Sequence, residues 1–193
     1  MKEEVILKNI SRNINLDEKE KEYFIKLLRY RKLKKGEILL NYGEVCKNNY
    51  FVISGCLRNY SIDEYGGEHI IAFAPADWWT SDLYSYLAET PSEQIIDALI
   101  PTEVFAISKE DMEELYLRIP KFERMFRILF QNAMINHLHR IKQIMSIPAE
   151  ERYQYFIKRY PNIYSEIPLK YIASYLGISP EFLSKIRNKI AHS

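Results

Sequence analysis

The sequence predicts an α+β protein: an antiparallel β-barrel, then a long helix, then a pair of short helices. Three observations predict it. Short β-runs separated by turn residues recur from Glu37 to Ser108. A sustained helical pattern fills Pro120 to Ile147, and the segment LKYIASYLGISPEFLSKIRN stands near the end.

Residues 1 to about 33 read as helix, with Leu16, Phe24, Leu27 and Leu28 on an apolar face and charges between Asp17 and Glu22. Gly36 ends that texture. The β-runs then follow as Glu37–Tyr42, Tyr50–Ser54, Cys56–Asp63, His69–Ala74, Gln94–Leu99 and Glu103–Ile107. Short strands at such regular spacing suit an antiparallel barrel or sandwich better than a parallel sheet. Trp79 to Thr90 interrupts them with a Tyr/Leu-rich stretch able to hold a short helix.

Ser108 reads as an N-cap with Asp111 as its capping-box partner, opening a helix through about Ile119. Pro120 can start the next helix, which at 1.5 Å per residue runs for roughly 40 Å to Ile147. One apolar stripe is Phe122, Phe126, Leu129 and Ala133. A second is Phe130, Met134, Leu138, Ile141 and Met145. A helix apolar on two sides must bury both, so one side is expected on its own barrel and the other on a partner helix. Phe126, Phe130, Met134, Leu138, Ile141 and Met145 are the expected dimer residues. The alternative is a core helix of a monomer.

The C-terminal segment carries the strongest signal. Ile172, Leu176, Leu183 and Ile186 are spaced for two helices packed across a tight turn, with Ala173 at their closest approach. Gly177 stands where a left-handed residue ends the first helix. Ile178 plugs the corner, Ser179 can cap the second helix, Pro180 suits its first turn, and Glu181 complements its dipole. This is a helix-turn-helix, which places its second helix in the DNA major groove. Glu181 can accept from cytosine, Lys185 can donate to guanine or phosphate, and Asn188 shares their face. Ser184 and Lys170 are phosphate candidates, with Ser179 and Pro180 at the helix start and Tyr171 and Arg187 at the rims. A hairpin that docks a protein partner instead of DNA is the alternative.

Composition agrees. The 193 residues are 47% hydrophobic and 27% charged, ordinary for a soluble globular chain of one large or two small domains. Fifteen Tyr, nine Phe and two Trp suit a well-packed core and an aromatic pocket. The net charge of +1 hides an asymmetry: from Pro148 onward seven Lys/Arg face four Asp/Glu, while the preceding residues are slightly acidic. A basic C-terminal module suits a nucleic-acid-facing end. Cys46 and Cys56 form neither a zinc pattern nor a disulfide framework. The N-terminus lacks a signal-peptide core and no run is long enough to span a membrane, so a reduced cytoplasmic protein is expected.

The order of barrel, long helix and helix-turn-helix resembles the Crp/Fnr (cyclic-AMP receptor / fumarate-nitrate regulator) family over nearly the whole chain. LKKGEILLNYGEVCKNNYFVISGCLRNY is similar to that family's opening strands. TEVFAISKEDMEEL is similar to its strand-into-helix passage, and ISPEFLSKIRNKI to its recognition helix. The resemblance implies a cyclic-nucleotide-binding-type barrel (a double-stranded β-helix) over 1–119, a dimerisation helix over 120–147 and a DNA-binding domain over 148–193. It also implies a bacterial transcription regulator that binds double-stranded DNA as a homodimer, contacts RNA polymerase and associates with no membrane. Lys185 and Pro180 stand where the family carries arginines. The sequence ends six residues after Arg187, so a helix-turn-helix without the family's β-wing is expected.

Members that bind cyclic AMP carry a Gly-Glu-Leu segment and a later Arg-Ser/Thr-Ala segment. Here those stretches read Ala76-Asp77-Trp78 and Pro91-Ser92-Glu93-Gln94, and no Arg or Lys lies between Arg58 and Lys109. A buried phosphate without a cation carries a heavy desolvation cost, so cyclic AMP is not the expected effector. Another small molecule can serve, and Phe73, Asp77, Trp78, Trp79, Ser92, Glu93 and Gln94 are the candidate pocket, with Tyr84 and Tyr86 as further aromatic lining.

No cofactor or metal is expected. An iron–sulfur cluster needs about four thiolates. His137 and His139, two residues apart, lie roughly 200° apart around a helix and cannot share an ion. His69 reads as a core or pocket residue, and His192 lies in the tail. A cupin-like enzyme would need inward ligands or an acid–base pair, which the strands do not supply. A ligand-binding module whose tail docks a protein is the remaining alternative to a DNA-binding regulator.

Overall fold

The structure, a computed structural model, describes residues 2–191; His192 lies outside them. The chain divides into two compact units. One holds the chain up to Asn59 and Phe73–Asn132, the other Tyr60–Ala72 and the chain from Ala133 onward.

The first unit opens on two helices, α1 (Lys2–Ser11) and α2 (Glu18–Leu27). The expected single helical texture to residue 33 is therefore corrected. Asp17 caps α2 through the Glu20 amide at 2.9 Å, and the Glu20 carboxylate accepts from the Asp17 amide at 2.9 Å. The chain then turns directly into a strand, β1 (Arg29–Leu33), at the edge of a sheet and paired antiparallel with β8 (Thr102–Ser108).

All six expected β-runs form strands. They are β2 (Ile38–Leu40), β3 (Asn48–Ser54), β4 (Cys56–Ile62), β5 (Glu68–Pro75), β7 (Ile95–Ala98) and β8. With β1 and the two-residue β6 (Trp79–Thr80) they form two four-stranded sheets, ordered β1-β8-β3-β6 and β2-β7-β4-β5. A short helix, α3 (Leu83–Ala88), lies in the Tyr/Leu-rich stretch, and Asp82 caps it.

Strand alternation sorts the core into two clusters. Along β3, Tyr50 and Val52 join Leu57, Ile96, Ala98 and Val104 in one cluster. Phe51 and Ile53 join Ile6, Phe24, Met112, Phe122 and Phe126 in the other. The second cluster seats α4 (Lys109–Arg118) and the start of α5 (Lys121–Ser146). Phe24 stacks on Phe122 at 4.9 Å. Fully burying one such ring stabilises by about 1.5–3 kcal/mol. Gly55, at φ +86°, makes the β3–β4 turn, where any Cβ would fall 2.4 Å from the Pro101 carbonyl oxygen.

Ser108 caps α4 through the Asp111 amide at 3.0 Å, as its sequence implies. Helix α5 is shared between the two units, and the tip of the β4–β5 hairpin groups with the C-terminal helices. Those are α6 (Ala149–Arg159), α7 (Leu169–Leu176) and α8 (Pro180–Ala191). No helix among the described residues is long and apolar enough to cross a membrane.

Candidate nucleic-acid interface

Helices α7 and α8 pack through Ile172, Ala173, Leu176, Leu183 and Ile186, all buried, with Ala173 and Leu183 at 0% exposure. Gly177 takes the left-handed conformation at φ 68°, and the Ile178 amide donates to the Ala173 carbonyl at 3.1 Å. Ile178 is half-buried at the corner. The Ser179 hydroxyl accepts from the Phe182 amide at 3.2 Å and caps α8. The turn has the geometry its residue types dictate.

The same spacing turns a polar face outward. Glu181, Lys185, Arg187 and Asn188 are exposed, Ser184 is half-buried, and its hydroxyl donates to the Pro180 carbonyl at 3.0 Å. The Glu181 carboxyl is held below its usual pKa by its own backbone amide and the Ser179 hydroxyl, so it is anionic over the helix N-terminus. Pro180 and Ser179 are exposed beside it. On α7, exposed Lys170 sits 4.7 Å over the ring of half-buried Tyr171. The structure also exposes Phe182 at 49%, a residue absent from the sequence-based candidates. Its neighbours Leu183 and Ile186 complete the buried set, so the exposure follows from helical phase.

Within the same unit, α7 is tied to the hairpin tip. The Ser174 hydroxyl accepts from the Ile70 amide at 2.9 Å and donates to the Glu68 carbonyl at 2.8 Å, bonding the strand as a neighbouring strand would. Arg140 on α5 donates to the carbonyls of Ile70 and Tyr175, each at 2.9 Å, and to that of Ile71. Burial pulls its pKa down. Phe156, Tyr160 and Tyr175 form an aromatic trio with centroids 5.0–5.9 Å apart, and burial raises the Tyr160 hydroxyl well above its ordinary pKa.

Along α5 the expected dimer residues separate. Phe126 is 2% exposed and packs on Trp79 at 5.1 Å, and Phe130 is half-buried against the same core. Both belong to the chain's own core. Phe126 is excluded from an outward face because the inward stripe continues past it. Met134, Leu138, Ile141 and Met145 are exposed, joined by Ile135 and Ile144.

The candidate effector residues do not line one wall. Phe73 is buried, and Trp78 packs on the barrel cluster with Tyr86. Trp79 instead faces the helix-side cluster, and its indole donates to Asn9 at 3.1 Å. Asp77, at φ 72°, pairs with Arg12 at 2.6 Å and accepts from the Asn9 amide at 2.9 Å, so α1 and the residue that follows it engage its carboxylate. Ser92 and Gln94 bond Asp82 at 2.6 and 3.2 Å, and Glu93 and Tyr84 are exposed. Asp82 is the hub that sequence reasoning missed. Its position just before α3 was the available signal. Arg58 is bound bidentate by Asp97 at 2.7 and 2.8 Å.

His69 is corrected from core residue to surface residue, with 62% side-chain exposure and the Asp63 carboxylate at 2.6 Å. Cys46 and Cys56 are buried and form no disulfide. No group of three or more His, Cys, Asp or Glu among the described residues is placed to hold a metal ion.

The barrel and the helix-turn-helix define a class: a sensor-type domain carrying a DNA-reading tail. Comparisons agree. The cyclic nucleotide-binding domain family matches residues 30–118. The fumarate and nitrate reduction regulatory protein of Vibrio cholerae is 26% identical over 92% of this chain and 75% of its own length. The transcriptional activator protein FnrA of Stutzerimonas stutzeri is 25% identical over 82% of this chain and 68% of its own. The fold is shared with FixK2 from Bradyrhizobium japonicum (TM-score 0.76, 16% identity, 86% of this chain and 85% of that one). It is also shared with the Thermus thermophilus catabolite activator protein (TM-score 0.59, 20% identity, 92% and 85%). These findings support a transcription regulator of the Crp/Fnr type, a class whose members are not enzymes.

Proposed function

We propose that two copies of the chain pair along α5 and bind a palindromic operator through α8, with cyclic AMP excluded as the effector. The carrying observation is the phase of α8, which buries Leu183 and Ile186 and leaves Glu181, Lys185 and Asn188 outward on a capped N-terminal turn. A helix so presented can enter the major groove. The exposed Met134, Leu138, Ile141 and Met145 support the pairing, since an apolar stripe of this size on a surface helix calls for a partner.

The exclusion of cyclic AMP rests on charge. Asp77 is engaged by Arg12 and Asn9, and Arg58 by Asp97. A cyclic phosphate would therefore meet no available cation between Arg58 and Lys109, at a cost of several kcal/mol. Another small molecule is the proposed signal. The naming of one relative as a transcriptional activator supports RNA polymerase as a further partner.

Selection from a random duplex pool tests the reading. Enrichment of a two-fold symmetric site with half-sites about one helical turn apart is expected. Failure to enrich any sequence, with the protein instead retaining another protein through its tail, would overturn it.

A further inference from the structure

Phe182 is an apolar ring left 49% exposed on a helix whose Leu183 and Ile186 are 0% and 5% exposed. A single exposed apolar side chain is common on protein surfaces, so exposure alone says little. Its location says more. The Phe182 amide is the group capped by Ser179, which sets the residue in the first turn of α8. At roughly 100° per residue, it lies on the flank between the buried side and the outward side of Glu181, Ser184 and Lys185. Its other neighbours are charged: Glu181 before it, and Lys185 and Lys189 after it. The Glu181 carboxylate is already engaged by its own amide and by Ser179.

We propose that Phe182 is a specificity-determining residue that reads thymine by packing its ring on the C5 methyl group. This rests on the DNA-binding reading above and goes beyond it by assigning a base preference. Thymine alone among the four bases presents an apolar group in the major groove, and aromatic side chains are among those that contact it. A flanking position in the helix's N-terminal turn suits that contact, because the methyl stands at the groove edge and not at its centre. Lys185 then reads or neutralises a neighbouring step, and the half-site carries a thymine opposite the first turn of α8.

The test uses the enriched duplex and needs no variant at first. Each thymine is replaced in turn by deoxyuridine, which removes only the methyl, and affinity is measured by fluorescence anisotropy. One position per half-site is expected to weaken binding by the wild-type protein roughly fourfold, the scale of one buried methyl group. Phe182→Ala should lose that sensitivity and accept other bases there, while Glu181→Gln keeps it. Circular dichroism confirms that the variants fold. Equal methyl sensitivity in wild type and Phe182→Ala would overturn the proposal, as would no effect of deoxyuridine at any position. Salt-sensitive binding without a methyl effect sinks this inference alone. Absence of salt-sensitive binding to any duplex sinks the DNA reading and this inference with it.

Discussion

The Arg140 guanidinium donates to the Tyr175 carbonyl at 2.9 Å and lies 4.0 Å over the ring of the same residue. Its other acceptors are the carbonyls of Ile70 and Ile71, so one side chain joins α5, α7 and the hairpin tip through three backbone carbonyls and one ring. Arg140→Ala leaves these acceptors short of donors, which costs about 1–3 kcal/mol for a buried group. Chemical denaturation should show that loss. Arg140→Lys restores the charge without the planar fork and should recover only part of it. An unchanged midpoint in both variants would show the contact to be energetically idle.

The exposed stripe on α5 makes a second prediction. Leu138→Glu places a charge at the centre of the proposed pairing face, where Leu138 is 59% exposed in the single chain. Because it is exposed there, the chain's own fold should be unaffected. Sedimentation should show monomers, and affinity for a palindrome should fall at least tenfold. A variant that remains dimeric would move the interface elsewhere.

Asn9 tests the account of Asp77. Its amide donates to the Asp77 carboxylate and its carbonyl accepts from the Trp79 indole. Asn9→Ala should destabilise the first unit by about 1–3 kcal/mol through the stranded indole N–H. Arg12→Ala should cost about 1 kcal/mol or less, as an exposed ion pair does. Neither change should create cyclic AMP affinity, and calorimetry on the wild-type protein should show no saturable heat. Micromolar binding would overturn the exclusion.

Alkaline titration reads the barrel core. Burial pushes the hydroxyls of Tyr50 and Tyr86 up to about 12, against an ordinary tyrosine value of about 10. The unfolded chain loses these protons first. Stability is therefore full below pH 10 and declines as pH rises from there through 12. Tyrosinate absorbance should rise in two phases, the later one coinciding with unfolding. A single phase near pH 10 in the folded protein would contradict the burial of these hydroxyls.

What was legible in the sequence was what local rules determine. Gly177, Ser179 and Pro180 each have a short-range mechanical reason, and the helix-turn-helix formed in the expected register. The six β-runs were legible for the same reason, bounded by turn residues. Strand β1 was not, because Arg29-Tyr-Arg-Lys-Leu33 is an exposed edge strand whose first four residues lack an inward apolar alternation. The contacts of Asp77 and Trp79 were not legible, because their partner, Asn9, is 68 and 70 residues away and nothing local announces it. The point where α5 leaves the chain's own core was not legible, because Phe126 is buried and Met134 exposed while the apolar period continues past both.

A dimer that reads DNA through α8 is tested most directly by the affinity of the enriched duplex across a range of salt concentrations. Two chains should bind each duplex, with an affinity that falls linearly, on logarithmic axes, as salt rises and phosphate contacts release counterions. An affinity indifferent to salt, or no complex under any condition, would contradict it.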